Sequence, residues 1–271
     1  MTLFRRKIAL TVNQTKVEEL QVDFEVVKSL AKEPNTLSAR VYNLSQETRE
    51  KWTALNGAGV QLDAGYEEGG YGTIFLGKLE GTQTTIEGPD RVTVVEATDG
   101  RYEQSQRISK SYGPGTSVET VARDLIKYIG KGVGNVIDKL RSGAESGGLA
   151  NTLKNGFVVD GRAFDELDKL ARSRGLEASI QDGRIQLLGK NLPNARTAYK
   201  LTPETGLIAS PSVDSKKILK CKTLLIPDIV PGRQIVVDSD FVKGSYRVIR
   251  VTYTGSLYGS DFYCAIEGKS L

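Results

Sequence analysis

The alternation of apolar and polar side chains sets out most of the elements along this chain. Leu37, Ala39 and Val41 alternate with Ser38, Arg40 and Tyr42, the period of a strand with one buried face. A short helix is predicted next. Ser45 stands at its N-cap, Glu47 lies in the first turn where the helix dipole favours an acid, and Trp52 and Leu55 fall three apart on one face. Gly57 and Gly59 end it. Val60, Leu62 and Ala64 return as a strand, turn through Gly65 to Gly70, and run back with Ile74, Leu76 and Leu79. Before this stretch, 3–12 and 20–28 read as strands joined at Asn13-Gln14-Thr15. After it, 83–86 pairs with 91–98 through Glu87-Gly88-Pro89-Asp90. Residues 1–99 thus read as a first small β-barrel domain with a single helix.

The pattern changes at residue 100. Arg101 to Ser111 reads as a polar connection stopped by Gly113-Pro114-Gly115. Thr116 and Glu119 have the spacing of a capping box, and Val118, Val121, Ala122, Leu125, Ile126 and Ile129 form one apolar helical stripe ending at Gly130. From Gly130 to Gly156 there are seven glycines. Within that segment Val133, Val136, Ile137 and Leu140 have helical spacing, so it packs on its own domain or orders against a partner chain, and those four are the candidate partner-binding residues. Phe157 to Val159 reads as a strand. Asp160 is placed to cap a second helix bearing Ala163, Phe164, Leu167, Leu170 and Ala171, with Gly175 as its C-cap. Leu176 to Ile180 and Ile185 to Leu187 make a hairpin through Asp182-Gly183. Residues 100–200 therefore form an α+β middle domain.

Strands return at 216–225, 234–238, 246–252 and 262–267. Gly59 to Asp63 and Arg233 to Asp238 each open a strand after a glycine, which suggests that 201–271 is a second β-barrel domain related to the first. The predicted class is mainly β with an α+β insertion, two small related barrels flanking a helix-containing middle domain.

Composition narrows the chemistry. Histidine is absent, which removes the usual general base, the histidine-dependent nucleophile pairs and most transition-metal sites. Cys221 and Cys264 have no zinc spacing and read as buried free thiols rather than a disulfide. No apolar run approaches a membrane span and no signal-peptide core is present, so synthesis and folding in a cytoplasm are expected. The net charge of +4 is uneven, with Lys+Arg against Asp+Glu of 11 to 15 in 1–100, 17 to 11 in 101–200 and 9 to 7 in 201–271. The basic middle lacks interleaved aromatics, so a solvated surface explains it better than specific nucleic-acid binding.

Gly72 to Lys78 has P-loop glycine and lysine spacing, but Leu79 replaces the magnesium-binding hydroxyl and no helix follows. Gly130 to Gly134 lacks the third glycine of a dinucleotide fingerprint. Glu67-Glu68 and Asp238 with Asp240 are the suggestive acidic clusters, and each adjoins turn residues where solvated carboxylates are ordinary. No catalytic, cofactor-binding or metal residues are assigned.

Residues 201–268 resemble the C-terminal part of baseplate hub proteins of contractile-tailed bacteriophages. The likeness rests on Thr205 to Ile208, Ser210-Pro211, the Leu-Leu-x-Pro-x-x-x-Pro-Gly turn at Leu224 to Gly232, and the final strand Phe262 to Gly268. Ala39 to Leu44, Ala64-Gly65-Tyr66 and Phe75-x-Gly77 are similar to that family too. The resemblance covers the two flanking units. It implies a structural, non-enzymatic homotrimer whose two related barrels per subunit make a ring of near six-fold symmetry. That ring would join the tail tube protein to the central spike protein beside other baseplate proteins, in a virion tail assembled in the host cytoplasm. No cofactor is implied. The alternative is a tail-associated enzyme acting on cell wall or carbohydrate from a β scaffold.

Overall fold

The computed structural model describes residues 4–130, 132, 135, 139 and 152–271. In chain order the elements are β1 (Phe4–Val12), β2 (Thr15–Val17), β3 (Val22–Ser29), β4 (Asn35–Tyr42), α1 (Gln46–Thr53), β5 (Gly59–Glu68), β6 (Gly70–Glu87), β7 (Asp90–Asp99), α2 (Arg101–Ser105), β8 (Arg107–Tyr112), α3 (Val118–Ile129), β9 (Phe157–Arg162), α4 (Ala163–Arg172), β10 (Leu176–Gln181) and β11 (Arg184–Gly189). Then follow β12 (Tyr199–Leu201), a 3₁₀ turn (Pro203–Thr205), β13 (Leu207–Val213), β14 (Ile218–Leu224), β15 (Gln234–Asp238), β16 (Lys243–Ser256) and β17 (Phe262–Ser270).

The chain divides into two compact units. One holds residues 1–29, 35–99 and 193–271, and the other 30–34 and 100–192. In the first, thirteen strands make one sheet with the path β13-β14-β17-β16-β3-β4-β7-β6-β5-β1-β2, while β15 pairs with β16 and β12 with β15. This corrects the expectation of two separate barrels, since the path is open and no closed barrel is found among the described residues. The joint is β3 with β16, where Asp23 to Ser29 pair antiparallel with Ser256 to Arg250. A sheet ending at β3 would leave a full edge of N–H and C=O groups open, and the later strand satisfies it. The strands likened in sequence, at Gly59 to Asp63 and at Arg233 to Asp238, differ in their neighbours too. β5 lies between two antiparallel partners, whereas β15 has one parallel and one antiparallel.

One core serves this sheet, with Ile8, Leu10, Leu37, Trp52, Leu62 and Phe75 in the same buried cluster as Leu219, Val251, Tyr253 and Cys264. The predicted first helix is present. Ser45 accepts the Thr48 N–H at 3.2 Å, and Trp52 is buried. β6 and β7 close through Glu87 and Asp90 around Gly88-Pro89, also as predicted.

The second unit has its own core from the α3 stripe, α4 and the β10–β11 hairpin. All six predicted stripe residues of α3 are buried. Its cap is Ser117, which accepts the Thr120 N–H at 3.0 Å, so helix entry falls one residue after the expected Thr116 box. Thr116 instead donates to the Gly113 carbonyl. The predicted connection 101–111 is α2 followed by β8, because Arg107 to Tyr112 find a partner in β9. That pairing draws Asp160 into β9, so it caps nothing, and α4 starts after Arg162 with no side-chain cap. α4 ends at Arg172 with Ser173 as its C-cap in place of the expected Gly175, which lies in the following turn. The Asp182-Gly183 hairpin is as predicted, with φ of 50° and 77° at its two turn residues.

Candidate assembly surface

The sheet of the first unit offers a broad solvent-facing side, and register fixes which residues share it. Lys220 of β14 stands opposite Glu267 of β17, which stands opposite Arg250 of β16. In the neighbouring row Lys222, Ala265, Thr252, Val27, Thr36 and Thr98 face one another across six strands. In the next, Thr254 meets Glu25, Glu25 meets Ser38, and Ser38 meets Glu96. Small hydroxyl residues dominate the middle of these rows, lysines lie on β14, and Glu25 and Glu96 lie on β3 and β7, with Glu267 facing Lys220 and Arg250 and with Lys78 of β6 beside Thr98. Lys220, Lys222, Arg250, Glu25 and Glu96 are all exposed. Lys222 lies 3.3 Å from the Tyr263 ring centroid.

An open cleft of about 360 Å³ lies on the acidic part, lined among others by Asp23, Glu25, Ser38, Arg40 and Asp261. Its floor is fixed by hydrogen bonds. Asp23 accepts from Ser256 Oγ at 2.6 Å and Tyr42 Oη at 3.1 Å, and Arg40 is turned to Glu87 at 2.6 Å. Arg6 donates to the carbonyls of Ser256, Gly259 and Ser260, which holds the loop that presents Tyr258, 75% exposed.

Both ends of the sheet are blunted. β2 has three residues. β13 breaks register between Ile208 and Ser212, with Ala209 at φ 61° and Pro211 lacking a donor. Such an edge does not add another strand readily.

The four residues predicted to bind a partner, Val133, Val136, Ile137 and Leu140, lie outside the described residues. Their described neighbours are anchored within the second unit. Ile185 donates its N–H to the Gly132 carbonyl at 3.2 Å, and Asn135 exchanges two 2.8 Å hydrogen bonds with the Leu187 backbone, a side-chain amide standing in for a peptide. At the far end of the segment Leu153 and Thr116 pair at 2.9 Å.

The acidic clusters are surface features. Glu67 and Glu68 sit at the β5–β6 turn, exposed, with Glu67 3.8 Å from Arg5. Asp238 lies between Lys200 at 3.2 Å and Lys243 at 3.4 Å, and hydrogen bonds from these two lysines hold its carboxyl below the usual range. The P-loop-like stretch is part of β6, with a register shift against β5 between Phe75 and Thr73, and a Cβ at its Gly77 would stand 2.6 Å from the Thr98 carbonyl oxygen. Cys221 and Cys264 are buried free thiols, each pushed up to about 12 by desolvation.

Sequence reasoning passed over the buried acids Asp99, Glu103, Glu166 and Asp168. Asp168 of α4, 2% exposed, meets Lys32 at 3.1 Å and Arg172 at 2.8 Å inside the second unit. The signal was its position on the apolar face of α4, beside Leu167 and Ala171, with an arginine four residues on. Lys32, whose partner role no local pattern shows, lies far away in sequence.

This fold is shared with solved structures. The tail protein of Neisseria meningitidis MC58 superposes with a TM-score of 0.69 at 9% identity, covering 98% of this chain and 97% of that one. The 43 kDa tail protein of prophage MuSo2 from Shewanella oneidensis gives 0.67 at 10% identity, with 98% and 97% covered. The E. coli c3393 protein, described as a type VI secretion component structurally similar to the T4 tail proteins gp27 and gp5, gives 0.58 at 9% identity, with 97% and 76% covered. At such identities the likeness is one of fold. Comparison with curated protein sequences gives no significant match. The profile of the baseplate hub gp41 family matches residues 5–268, nearly the whole chain, and the chain belongs to that family.

Proposed function

We propose that this protein is the structural hub subunit of a contractile phage tail, a homotrimer whose ring joins the tail tube to the central spike within the baseplate. The observation that carries the reading is the family match across both flanking segments together with the one sheet into which they fold. Two strand sets meet at β3 and β16, and although β5 and β15 differ in their neighbours, one face from each set per subunit gives three copies six faces for a six-fold tube. Cyclic closure then satisfies every subunit equally. The segments 1–99 and 201–271 act as the two related modules, and 100–200 as the middle domain. The segment carrying Val133, Val136, Ile137 and Leu140 contacts a neighbouring subunit or another baseplate protein. Assembly takes place in the host cytoplasm, and the mature location is the virion tail. The protein works as a part of the assembly and not as a catalyst.

Sedimentation equilibrium of the purified chain tests this, with a species of three times 29.5 kDa as the expected outcome. A protein that stays monomeric at every concentration, alone and with tube protein, overturns the ring. Hydrolysis of cell-wall material that Glu67→Gln with Glu68→Gln abolishes would overturn the structural reading.

A further inference from the structure

The edge hairpin β13–β14 carries four lysines, Lys216, Lys217, Lys220 and Lys222, all exposed, and among the described residues none of them forms an ion pair. Asp214 is the single acid between β13 and β14, and its carboxylate accepts the backbone N–H groups of Lys216 and Ile218, both at 2.9 Å. The hairpin therefore carries net positive charge, with Asp214 at its turn and Glu267 opposite Lys220 in register. On the same chain Glu25 and Glu96 are exposed without an ion pair among the described residues, flanking Ser38 two strands apart, about 10 Å. The adjoining cleft adds Asp23 and Asp261, and its one arginine, Arg40, is already engaged by Glu87.

Resting on the ring reading above, we infer that the lysine hairpin of one copy docks on the carboxylate face of the next, at Glu25, Glu96 and the Asp23–Asp261 cleft. Three observations select a second copy as the occupant. The two charge sets are complementary, and among the described residues Lys216, Lys217, Lys220, Glu25 and Glu96 form no ion pair, while Lys222 lies over the Tyr263 ring and Asp23 accepts from Ser256 and Tyr42. They lie on different parts of one chain, so the contact is heterologous, the kind that closes into a ring. The bulge and Pro211 at β13 block strand addition, leaving side-chain charge as the means of contact at this edge. Nucleic acid is the weaker occupant, because the hairpin offers lysines with no arginine fork, while the acidic face would repel phosphate.

Charge reversal tests the contact by sedimentation of the full chain. Association of wild type should weaken about tenfold or more between roughly 50 and 300 mM salt. Lys220→Glu with Lys222→Glu should weaken it about 100-fold through like-charge juxtaposition, and Glu25→Lys with Glu96→Lys should do the same. The chain carrying all four changes should recover to within about tenfold of wild type, since every interface is restored with reversed sign. That recovery also separates a broken contact from a misfolded variant. A trimer that the reversals leave intact overturns this inference and leaves the ring standing. A monomeric wild type overturns the ring and this contact with it. Retention of a DNA duplex by wild type, lost on Lys220→Glu with Lys222→Glu while association is unchanged, assigns the hairpin to nucleic acid and overturns it.

Discussion

Arg6 and Phe262 stand near opposite ends of the chain, yet the guanidinium carbon of Arg6 lies 5.1 Å from the centroid of the Phe262 ring. Tyr66 meets the same ring edge-on at 5.2 Å. β1 and β17 belong to opposite flanks of the open sheet, so this clasp brings the flanks together around the shared core. Arg6→Ala removes three carbonyl contacts and the ring contact, and should lower stability by about 2–4 kcal/mol. Arg6→Lys should recover less than half, because an ammonium cannot span the same carbonyls in a fork. Urea midpoints at constant slope check both, and an unchanged Arg6→Ala midpoint refutes the clasp.

Trp52 tests what the helix α1 contributes. Its ring is 1% exposed, and its indole N–H finds no acceptor among the described residues. Trp52→Ala should cost about 3–5 kcal/mol through the cavity, whereas Trp52→Phe should cost about 2 kcal/mol or less, since the lost N–H was unsatisfied. Thermal unfolding of the two variants should differ clearly. Equal losses would mean that the N–H matters.

Gly255 is fixed by close approach. A Cβ there would stand 2.4 Å from the Phe24 ring and 3.1 Å from Phe262, so Gly255→Ala should cost about 1–3 kcal/mol. Gly81 has open space around its Cβ position, and Gly81→Ala should be neutral or stabilising by about 0.4–1 kcal/mol. Calorimetry of the pair checks the contrast, and a reversed order would place the crowding wrongly.

Asp124 gives a pH dependence with a definite sign. Hydrogen bonds from Lys110 and then Tyr112 hold its carboxyl below the ordinary 3.8, against desolvation. A depressed folded value stabilises above the ordinary value and is lost as pH falls through the folded one. Asp124→Asn should therefore flatten the acid limb of the stability profile below pH 3.8 and lower stability at neutral pH. An acid limb identical in the two proteins would remove Asp124 from the titration.

The thiols should be silent in the folded protein. With both pushed up to about 12 and buried, a thiol reagent at pH 8 should label neither Cys221 nor Cys264 until denaturant is added, when both react. Labelling of the native chain within minutes would show an opening that the packed sheet does not provide.

Local pattern was enough wherever neighbours in sequence decide the outcome. The strand alternation at Leu37 to Tyr42, the Ser45 cap, the α3 stripe and the Asp182-Gly183 turn all depend on side chains a few residues apart, and all were legible in the sequence. The family likeness was legible too, through turn and strand signatures such as Leu224 to Gly232. What tertiary structure alone decided is pairing between distant strands. Asp23 to Ser29 look the same in sequence whether they end a barrel or continue into β16, because a backbone edge carries no side-chain code for its partner. For the same reason the Lys32 to Asp168 contact, the conversion of Arg107 to Tyr112 into strand, and the row Lys220, Glu267 and Arg250 across the sheet emerge only once the fold aligns residues far apart in the chain.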